Sequence, residues 1–224
     1  MPGYYAERLS ADRLRACYDV APPRTRQCLE AEIAHVLEHA VPFAIALEMG
    51  CGYGRVLRRI APRVRVAVGI DTALASLALA REHVAGAGEV LLAAMDAGRT
   101  GFRDGAFDLT VCIQNGISAF QVDPQALMRE AVRITRSGGL VLFSSYSARF
   151  WEARLEWFET QAAHGLIGEL DGEATRDGVI VCKDGFRAVT VDGEGFRRLV
   201  EPLGLAPHII EVDGSSLFCE IRVP

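Results

Sequence analysis

Three glycines spaced two residues apart follow a carboxylate in the stretch ALEMGCGYGRVLRRIA, residues 46–61. The glycines are Gly50, Gly52 and Gly54, and the carboxylate is Glu48. Glycines leave the backbone amides uncovered, and the amphipathic run that follows predicts a helix whose N-terminus faces the same loop. Such a loop binds the polar part of a small ligand through its main chain, and Glu48 adds an acceptor for a cationic group.

Dinucleotide-binding folds use a related loop, G-x-G-x-x-G, in which the third glycine lets the helix pack closely on the strand. The corresponding position here, three residues after Gly52, is Arg55. A bulky arginine where that motif needs a very small residue counts against NAD. A dinucleotide oxidoreductase is therefore the least favoured interpretation of the loop.

Short apolar runs on either side of the loop predict the strands that position it. FAIALE precedes the loop, RVAVGI ends at Asp71, VLLAA ends near Asp96, and FDLTVCI and GLVLFSS follow. Runs of this length that alternate with helices are typical of a parallel sheet covered on both faces. After residue 147, VIVCKDGFRAVTV predicts a hairpin that turns at Asp184 and Gly185, and the last two apolar runs predict a closing antiparallel pair.

Capping residues and prolines predict the helices. A helical region over residues 6–40 is interrupted at residues 21–24, where two adjacent prolines exclude a continuous helix. Helices are also predicted from about Arg55 and over residues 72–84. A further helix starts at Asp123 and Pro124 and ends before the pair Gly138-Gly139.

The loop form E-x-G-C-G-x-G and the layout around it resemble the class I S-adenosylmethionine-dependent methyltransferases. The resemblance covers residues 43–145 well and continues more loosely to the C-terminus. It implies an α/β, Rossmann-like doubly wound fold, with a mostly parallel seven-stranded sheet, a C-terminal antiparallel hairpin and an N-terminal helical cap. It also implies S-adenosyl-L-methionine as cofactor and S-adenosyl-L-homocysteine as product.

In that family the loop faces the methionine part of the cofactor, and the acid at the strand end holds its amino group. Asp71 has two acceptor oxygens, which suit the two ribose hydroxyls, although it is also placed to cap the following helix. Asp96 matches the family's adenine acceptor, although an Asx turn explains it too. The predicted cofactor-binding set is Glu48, Gly50, Cys51, Gly52, Gly54, Asp71, Thr72, Met95, Asp96, Ile113, Gln114 and Asn115.

The acceptor side is expected from the N-terminal helices and the segment after the fifth strand. Methyl transfer from a sulfonium requires alignment more than a dedicated catalytic group, and a base is needed only where the acceptor must lose a proton. The catalytic residue is therefore unknown, with Tyr146 and His164 as candidate bases. The candidate substrate-binding residues are Tyr5, Tyr18, Tyr146, Arg154 and Trp157.

No metal is predicted. His35 and His39 stand four residues apart, as a metal-binding pair on a helix does. They lie opposite the apolar stripe of that helix, and no third ligand is evident nearby, so surface histidines are the preferred interpretation. Catechol-type relatives hold magnesium with acids near the fourth strand, where this chain offers only Asp123, which already has a capping role.

The chain is interpreted as one methyltransferase domain, residues 1–224. Its parts are a helical cap (1–40), a cofactor-binding core (41–146), a substrate-side insertion (147–190), and a C-terminal helix and hairpin (191–224). A net charge of −5 and the absence of a long apolar run argue against nucleic-acid and membrane partners. A cytoplasmic monomer or homodimer is expected.

Together these features predict an enzyme that methylates a small-molecule acceptor by in-line displacement. The alternatives are a protein or RNA methyltransferase, which should present a basic or extended docking surface, and a non-catalytic S-adenosylmethionine-binding protein.

Overall fold

The structure, a computed structural model, describes residues 4–224 except for the side chains of Tyr5 and Ala6. Its centre is a seven-stranded sheet with the order β3-β2-β1-β4-β5-β9-β8, and β6 pairs with β7 in a separate hairpin. The strands are β1 Ile45–Met49, β2 Val66–Asp71, β3 Val90–Ala94, β4 Phe107–Cys112, β5 Thr135–Tyr146, β6 Val179–Val181, β7 Arg187–Val189, β8 His208–Val212 and β9 Ser216–Arg222. Strands β1 to β5 are parallel, and β9 runs antiparallel to both of its neighbours. The predicted fold class is confirmed.

Helices cover both faces of the sheet and its carboxyl edge. They are α1 Tyr4–Arg8, α2 Ala11–Asp19, α3 Pro23–Glu38, α4 Leu57–Ile60, α5 Leu74–His83, α6 Gly116–Ala119, α7 Pro124–Ile134, α8 Trp151–Ala163 and α9 Gly193–Val200. The predicted interruption of the N-terminal helical region is confirmed, because α3 begins at Pro23 directly after Pro22. The region contains a second break, between α1 and α2.

Two apolar clusters sandwich the sheet. On one face, Met128 of α7 and Phe196 of α9 are buried with Leu47 and Phe143. On the other face, α3 packs on β4, β5 and β9, where its Ile33 joins Leu142 and Phe218. Burial on both faces explains why the strands are continuous apolar runs.

The predicted start of α7 is confirmed, and α7 ends at Ile134, before the glycine pair as predicted, but the pair does not cap it. Asp123 caps the helix by accepting a hydrogen bond from the amide of Gln125, and Pro124 occupies the first turn. Gly138 and Gly139 do not end the helix but lie within β5. Thr135 already pairs with β4, and the register shifts before the pairing resumes at Leu140, so the glycines occupy a bulge.

The order of the strands places a crevice at the carboxyl end of β1. The chain runs outward from β1 through β2 to β3, and then returns to form β4 on the other side of β1. The connections on the two sides of β1 therefore diverge, which is where open α/β sheets bind ligands. The N-terminal helices and α8 lie over this crevice, and their side chains form one apolar cluster with Tyr146 and Phe186.

No helix within the described part of the chain, residues 4–224, combines the length and apolar character required to cross a bilayer.

Close packing of β2 against the glycine loop leads to a test of stability. A Cβ atom at Gly69 would lie 2.7 Å from Leu57 Cδ2 and 2.9 Å from Cys51 Sγ. We expect Gly69→Ala to lower the free energy of unfolding by about 1–3 kcal/mol, because an overpacked core must shift to accept the methyl group. Unfolding in urea, followed by circular dichroism, measures the change.

Gly172→Ala is the matched control, because a Cβ atom there has no heavy atom within 4 Å. Its free energy of unfolding should stay within about 0.5 kcal/mol of the parent chain. Equal losses from the two substitutions would contradict the packing described for Gly69.

Candidate functional site

A cavity of about 310 Å³ lies at the carboxyl ends of the central strands. The glycine loop and the ends of β1, β2 and β4 line one side, and α2, α6 and α8 cover the other. Ten of the twelve predicted cofactor-binding residues line it: Glu48, Gly50, Cys51, Gly52, Asp71, Thr72, Met95, Asp96, Ile113 and Gln114. The sequence thus identified most of the polar side of the cavity.

The glycine loop is held against β2 by its own main chain. The amides of Gly50 and Cys51 donate to the carbonyl of Ile70 at 2.8 and 2.9 Å. Gly50 has a φ of +73°, and a Cβ atom there would lie 2.1 Å from Cζ of Phe120. A side chain at this position would be strained and would collide with that ring, which explains the requirement for glycine.

Asp71 connects the loop to the start of α5. Its Oδ2 accepts from the Gly52 amide at 2.9 Å, and its Oδ1 accepts from the Ala73 amide at 2.8 Å. Burial raises the pKa of Asp71, and these amides oppose that rise. The contact with Ala73 is the helix-capping role considered above. Each carboxylate oxygen has a second lone pair, so capping does not prevent Asp71 from binding hydroxyl groups.

Asp96 and Met95 form the part of the wall beyond β3. Asp96 Oδ1 accepts from the Gly98 amide at 2.7 Å, so the Asx turn considered above is present. Both side chains line the cavity. The turn fixes the direction of the Asp96 carboxylate and leaves its adenine role as a prediction.

Four buried polar atoms around the cavity have no hydrogen-bond partner among the residues that the structure describes. They are Oε2 of Glu48, Nε and Nη2 of Arg55, and Nε2 of Gln114. A buried polar atom without a partner is costly, so such atoms indicate where a ligand binds. One acceptor beside three donors matches a ligand that carries both an ammonium and a carboxylate.

The electrostatics of Glu48 follow from its burial. Glu48 is only 5% exposed. Burial raises the pKa of its carboxyl group to about 8, although the positive charge of Arg55 opposes this rise. A ligand ammonium would favour the ionised carboxylate and reverse the shift.

Arg55 is a site residue that the sequence interpretation missed. It entered that interpretation only as an obstacle to a dinucleotide. In the structure its guanidinium lies 4.7 Å from the centre of the Tyr18 ring, and the Tyr18 hydroxyl donates to Oε1 of Gln114 at 2.8 Å. The sequence did contain a signal for this role: a charged side chain that directly follows a ligand-binding loop lies close to the bound ligand.

Glu32 of α3 was also missed, and it supports the site from outside the cavity. It is fully buried, and its Oε1 accepts from the Ser144 hydroxyl at 2.6 Å. The same hydroxyl oxygen accepts from the Gln114 amide at 2.8 Å. Burial raises the pKa of Glu32. No local pattern indicates this contact, which spans 112 positions of the chain.

Two predicted cofactor-binding residues lie outside the cavity. Gly54 faces α5, where a Cβ atom would lie 2.9 Å from Cγ1 of Val84, so this glycine allows close packing of the loop. Asn115 is buried, and it donates to the Val189 carbonyl and accepts from the Ser145 hydroxyl, each at 2.8 Å. Its side chain joins the end of β4 to the insertion instead of facing the ligand space.

Three of the five predicted substrate-side residues line the cavity, namely Tyr18, Tyr146 and Trp157. The Trp157 indole donates to the Cys17 carbonyl at 2.8 Å, which fixes the ring over the opening. Arg154 is buried outside the cavity, donates to the Gly178 carbonyl and lies 4.9 Å from the centre of the Tyr146 ring, so it supports that ring. The side chain of Tyr5 falls outside the described residues.

The structure distinguishes the two candidate bases. Tyr146 lines the cavity, but burial raises its pKa well above its usual value, so the phenol keeps its proton at neutral pH. It is suited to donating a hydrogen bond, not to accepting a proton. His164 is exposed beyond the end of α8 and donates from Nδ1 to the Thr160 carbonyl at 2.8 Å. It is not among the residues that line the cavity.

Comparison with known proteins agrees with this geometry. A family model described as a methyltransferase domain matches residues 47–143, which include the glycine loop, β2, β3 and β4. A comparison with curated proteins finds no match to the sequence.

Three solved structures share the fold over most of their length. A protein from Pyrococcus horikoshii is 19% identical, covers 99% of this chain and 98% of its own, and has a TM-score of 0.66. Magnesium protoporphyrin IX methyltransferase from Synechocystis, with bound S-adenosyl-L-homocysteine, is 14% identical, with 98% and 96% covered and a TM-score of 0.65. The N-methyltransferase NodS from Bradyrhizobium japonicum, also with that ligand, is 18% identical, with 90% and 88% covered and a TM-score of 0.56.

The raised pKa of Glu48 predicts how stability depends on pH. The folded chain keeps the Glu48 proton up to about pH 8, whereas the unfolded chain loses it near pH 4.5. The stability contributed by this group is therefore complete below about pH 4.5 and is lost as the pH rises through about 8. Relative to the parent chain, we expect the free energy of unfolding of Glu48→Gln to increase by on the order of 4 kcal/mol between pH 5 and pH 9.

Denaturant unfolding of both chains at several pH values measures this difference. Glu173→Gln, at an exposed position, is the control and should follow the parent chain at every pH. Parallel pH profiles for Glu48→Gln and the parent would contradict the assignment.

Proposed function

We propose that this chain, which has the class I methyltransferase fold and matches a methyltransferase domain over residues 47–143, transfers a methyl group from S-adenosyl-L-methionine to a small-molecule acceptor by in-line displacement. S-adenosyl-L-methionine supplies an electrophilic methyl group on a sulfonium that loses its positive charge during transfer. The contribution of the protein is to bind, orient and enclose the reacting groups. The observation that carries the proposal is the set of unpartnered polar atoms beside a side-chain-free loop.

We assign the amino-acid end of the cofactor to three of these residues. Glu48 would accept from the ammonium, and Arg55 and Gln114 would donate to the carboxylate. This arrangement gives a partner to each of the four unpartnered atoms. It also places each charge of the ligand beside an opposite charge of the protein. Hydrogen bonds to charged groups contribute about 1.5–3 kcal/mol each to the binding free energy.

We assign the nucleoside end to the edges of the next two strands. Asp71 would accept from the ribose hydroxyls, because its carboxylate is already oriented by two amides. Asp96 would accept from the adenine amino group, with Met95 against the ring. Both lie on the wall that continues from the glycine loop.

The covering helices support a small acceptor. Leu14, Cys17 and Tyr18 of α2 and Trp157 and Phe158 of α8 form a largely apolar roof. The cavity volume of about 310 Å³ lies at the lower end of the usual range for ligand pockets, about 300–1,000 Å³. A protein or RNA segment would have to displace this roof. An apolar roof also excludes water from the transfer.

The proposed binding roles lead to a test with two ligands. We expect Asp71→Asn to weaken S-adenosyl-L-homocysteine and adenosine alike, by about ten- to hundredfold, because both contain the ribose. We expect Arg55→Met to weaken S-adenosyl-L-homocysteine by a similar factor and to leave adenosine unchanged, because adenosine lacks the carboxylate. Isothermal titration calorimetry measures both ligands, and NAD should not bind.

Asp104→Asn, at an exposed position far along the chain from the loop, is the control and should bind both ligands as the parent does. Two results would count against the assignment: NAD binding with no binding of S-adenosyl-L-homocysteine, or an Arg55→Met chain that loses adenosine as well.

The acceptor class is tested by label transfer. The chain is incubated with methyl-labelled S-adenosyl-L-methionine and a cell extract, and the products are separated by size. We expect label in the small-molecule fraction, and less of it with Asp71→Asn in place of the parent. Label confined to protein or RNA would refute the small-molecule acceptor. No transfer to any fraction, together with tight cofactor binding, would instead support a non-catalytic binding protein.

A further inference from the structure

A second cluster of chemically active side chains lies outside the cavity, between α3 and the C-terminal hairpin. His35, His39 and Glu220 each direct one possible ligand atom into it, and these atoms lie within 4.8 Å of one another. Nε2 of His35 lies 2.8 Å from Oε1 of Glu220, and Nε2 of His39 lies 3.5 Å from the same oxygen. We refer to these three residues as the His–Glu cluster.

The third member of the cluster is the residue that the sequence did not reveal. His35 lies in α3 and His39 is the residue that ends this helix, but Glu220 lies 185 positions after His35, on β9. The expectation of two surface histidines is also wrong for His35. That residue is only 8% exposed, and its ring packs against Phe218 at a centroid distance of 4.4 Å.

Ordinary hydrogen bonding does not complete this cluster. The His39 Nε2 atom is buried, and within the described part of the chain it makes no hydrogen bond, although Oε1 of Glu220 lies 3.5 Å away. An imidazole nitrogen buried without a partner is costly. A cation held by all three groups would use this lone pair and leave none of them unsatisfied.

The groups around the cluster orient its members as partners of metal ligands do. Nδ1 of His35 lies 3.5 Å from Oε2 of Glu38, so the ring directs its other nitrogen towards Glu220. Nδ1 of His208 lies 3.2 Å from Oε2 of Glu220, on the side of the carboxylate away from His35. Metal-binding histidines commonly have a carboxylate on the far nitrogen, and binding carboxylates are themselves hydrogen-bonded.

The donor atoms of the cluster also favour a cation, because each member offers one nitrogen or carboxylate oxygen to the same small volume. Two imidazoles and one carboxylate suit zinc and similar divalent transition ions, whereas magnesium and calcium prefer oxygen ligands.

We propose that His35, His39 and Glu220 bind a divalent transition-metal ion of the zinc class. The site is structural, because none of its members lines the cavity. It connects α3, near the N-terminus, to β9, near the C-terminus. Since α3 also carries Glu32 into contact with Ser144, the ion fixes the helix that supports the cofactor cavity. This inference does not depend on the proposed acceptor or on the assigned cofactor contacts.

Zinc titration of the chelator-stripped full chain tests the proposal. Calorimetry should show one zinc ion per chain, magnesium should not bind, and zinc should raise the unfolding temperature. We expect His39→Ala and Glu220→Gln each to weaken zinc by at least about tenfold. His208→Ala should have a smaller effect, because that side chain contacts only the far oxygen of the carboxylate.

The two remaining histidines of the chain provide matched controls. His83→Ala and His164→Ala should bind zinc as the parent does. All six cysteines are free and buried, so cobalt binding should give a visible spectrum without a thiolate charge-transfer band. A circular dichroism spectrum like that of the parent chain and a cooperative unfolding transition report that each variant is folded.

Absence of stoichiometric zinc binding by the parent chain would overturn the proposal, as would Glu220→Gln with parental affinity. If a cluster variant fails to fold, the cobalt spectrum of the parent chain decides. A cobalt spectrum typical of nitrogen and oxygen ligands, which disappears when zinc is added, supports the site. A thiolate charge-transfer band refutes it.

Discussion

The attachment of the glycine loop to β2 is the constraint on which the remaining structure of the cavity depends. Two consecutive amides, those of Gly50 and Cys51, share the carbonyl of Ile70, so the chain must turn sharply as it leaves β1. This turn requires the backbone conformations that glycine adopts at low cost. It also brings Gly52 to the Asp71 carboxylate, so the floor of the cavity and its principal acid are fixed by the same hydrogen bonds.

The cavity is also a concentration of buried charge. Glu48, Asp71 and the supporting Glu32 all have pKa values raised by burial, and Arg55 opposes the rise at Glu48 and Glu32. A site of this kind is strained electrostatically until a ligand with complementary charges enters it. The same burial that destabilises the carboxylates strengthens their hydrogen bonds to a bound ligand, because the local dielectric is low. Ligand binding is thus coupled to the ionisation of these carboxyl groups.

The N-terminal helices connect the cavity to the opposite end of the molecule. The α2 helix supplies the roof through Tyr18, whereas α3 supports the floor through Glu32 and reaches the C-terminal hairpin through His35. One continuous segment, α2 and α3, therefore contacts the roof of the cavity, its floor and the C-terminal hairpin. A change that displaces α3 alters the cofactor cavity without touching any residue that lines it.

The sequence by itself determined the order of the strands along the chain, the glycine loop and the acids at the strand ends. These features are local, since apolar runs, glycines and capping residues act within a few positions of one another. Local preference was overridden where strands paired, as at Gly138 and Gly139, which entered β5 instead of ending α7. The tertiary structure alone decided that Arg55 faces the ligand space with Glu48 and that Glu220 meets His35 and His39. Those contacts depend on which strands become neighbours in the sheet. The spacing of residues along the chain does not determine those distances.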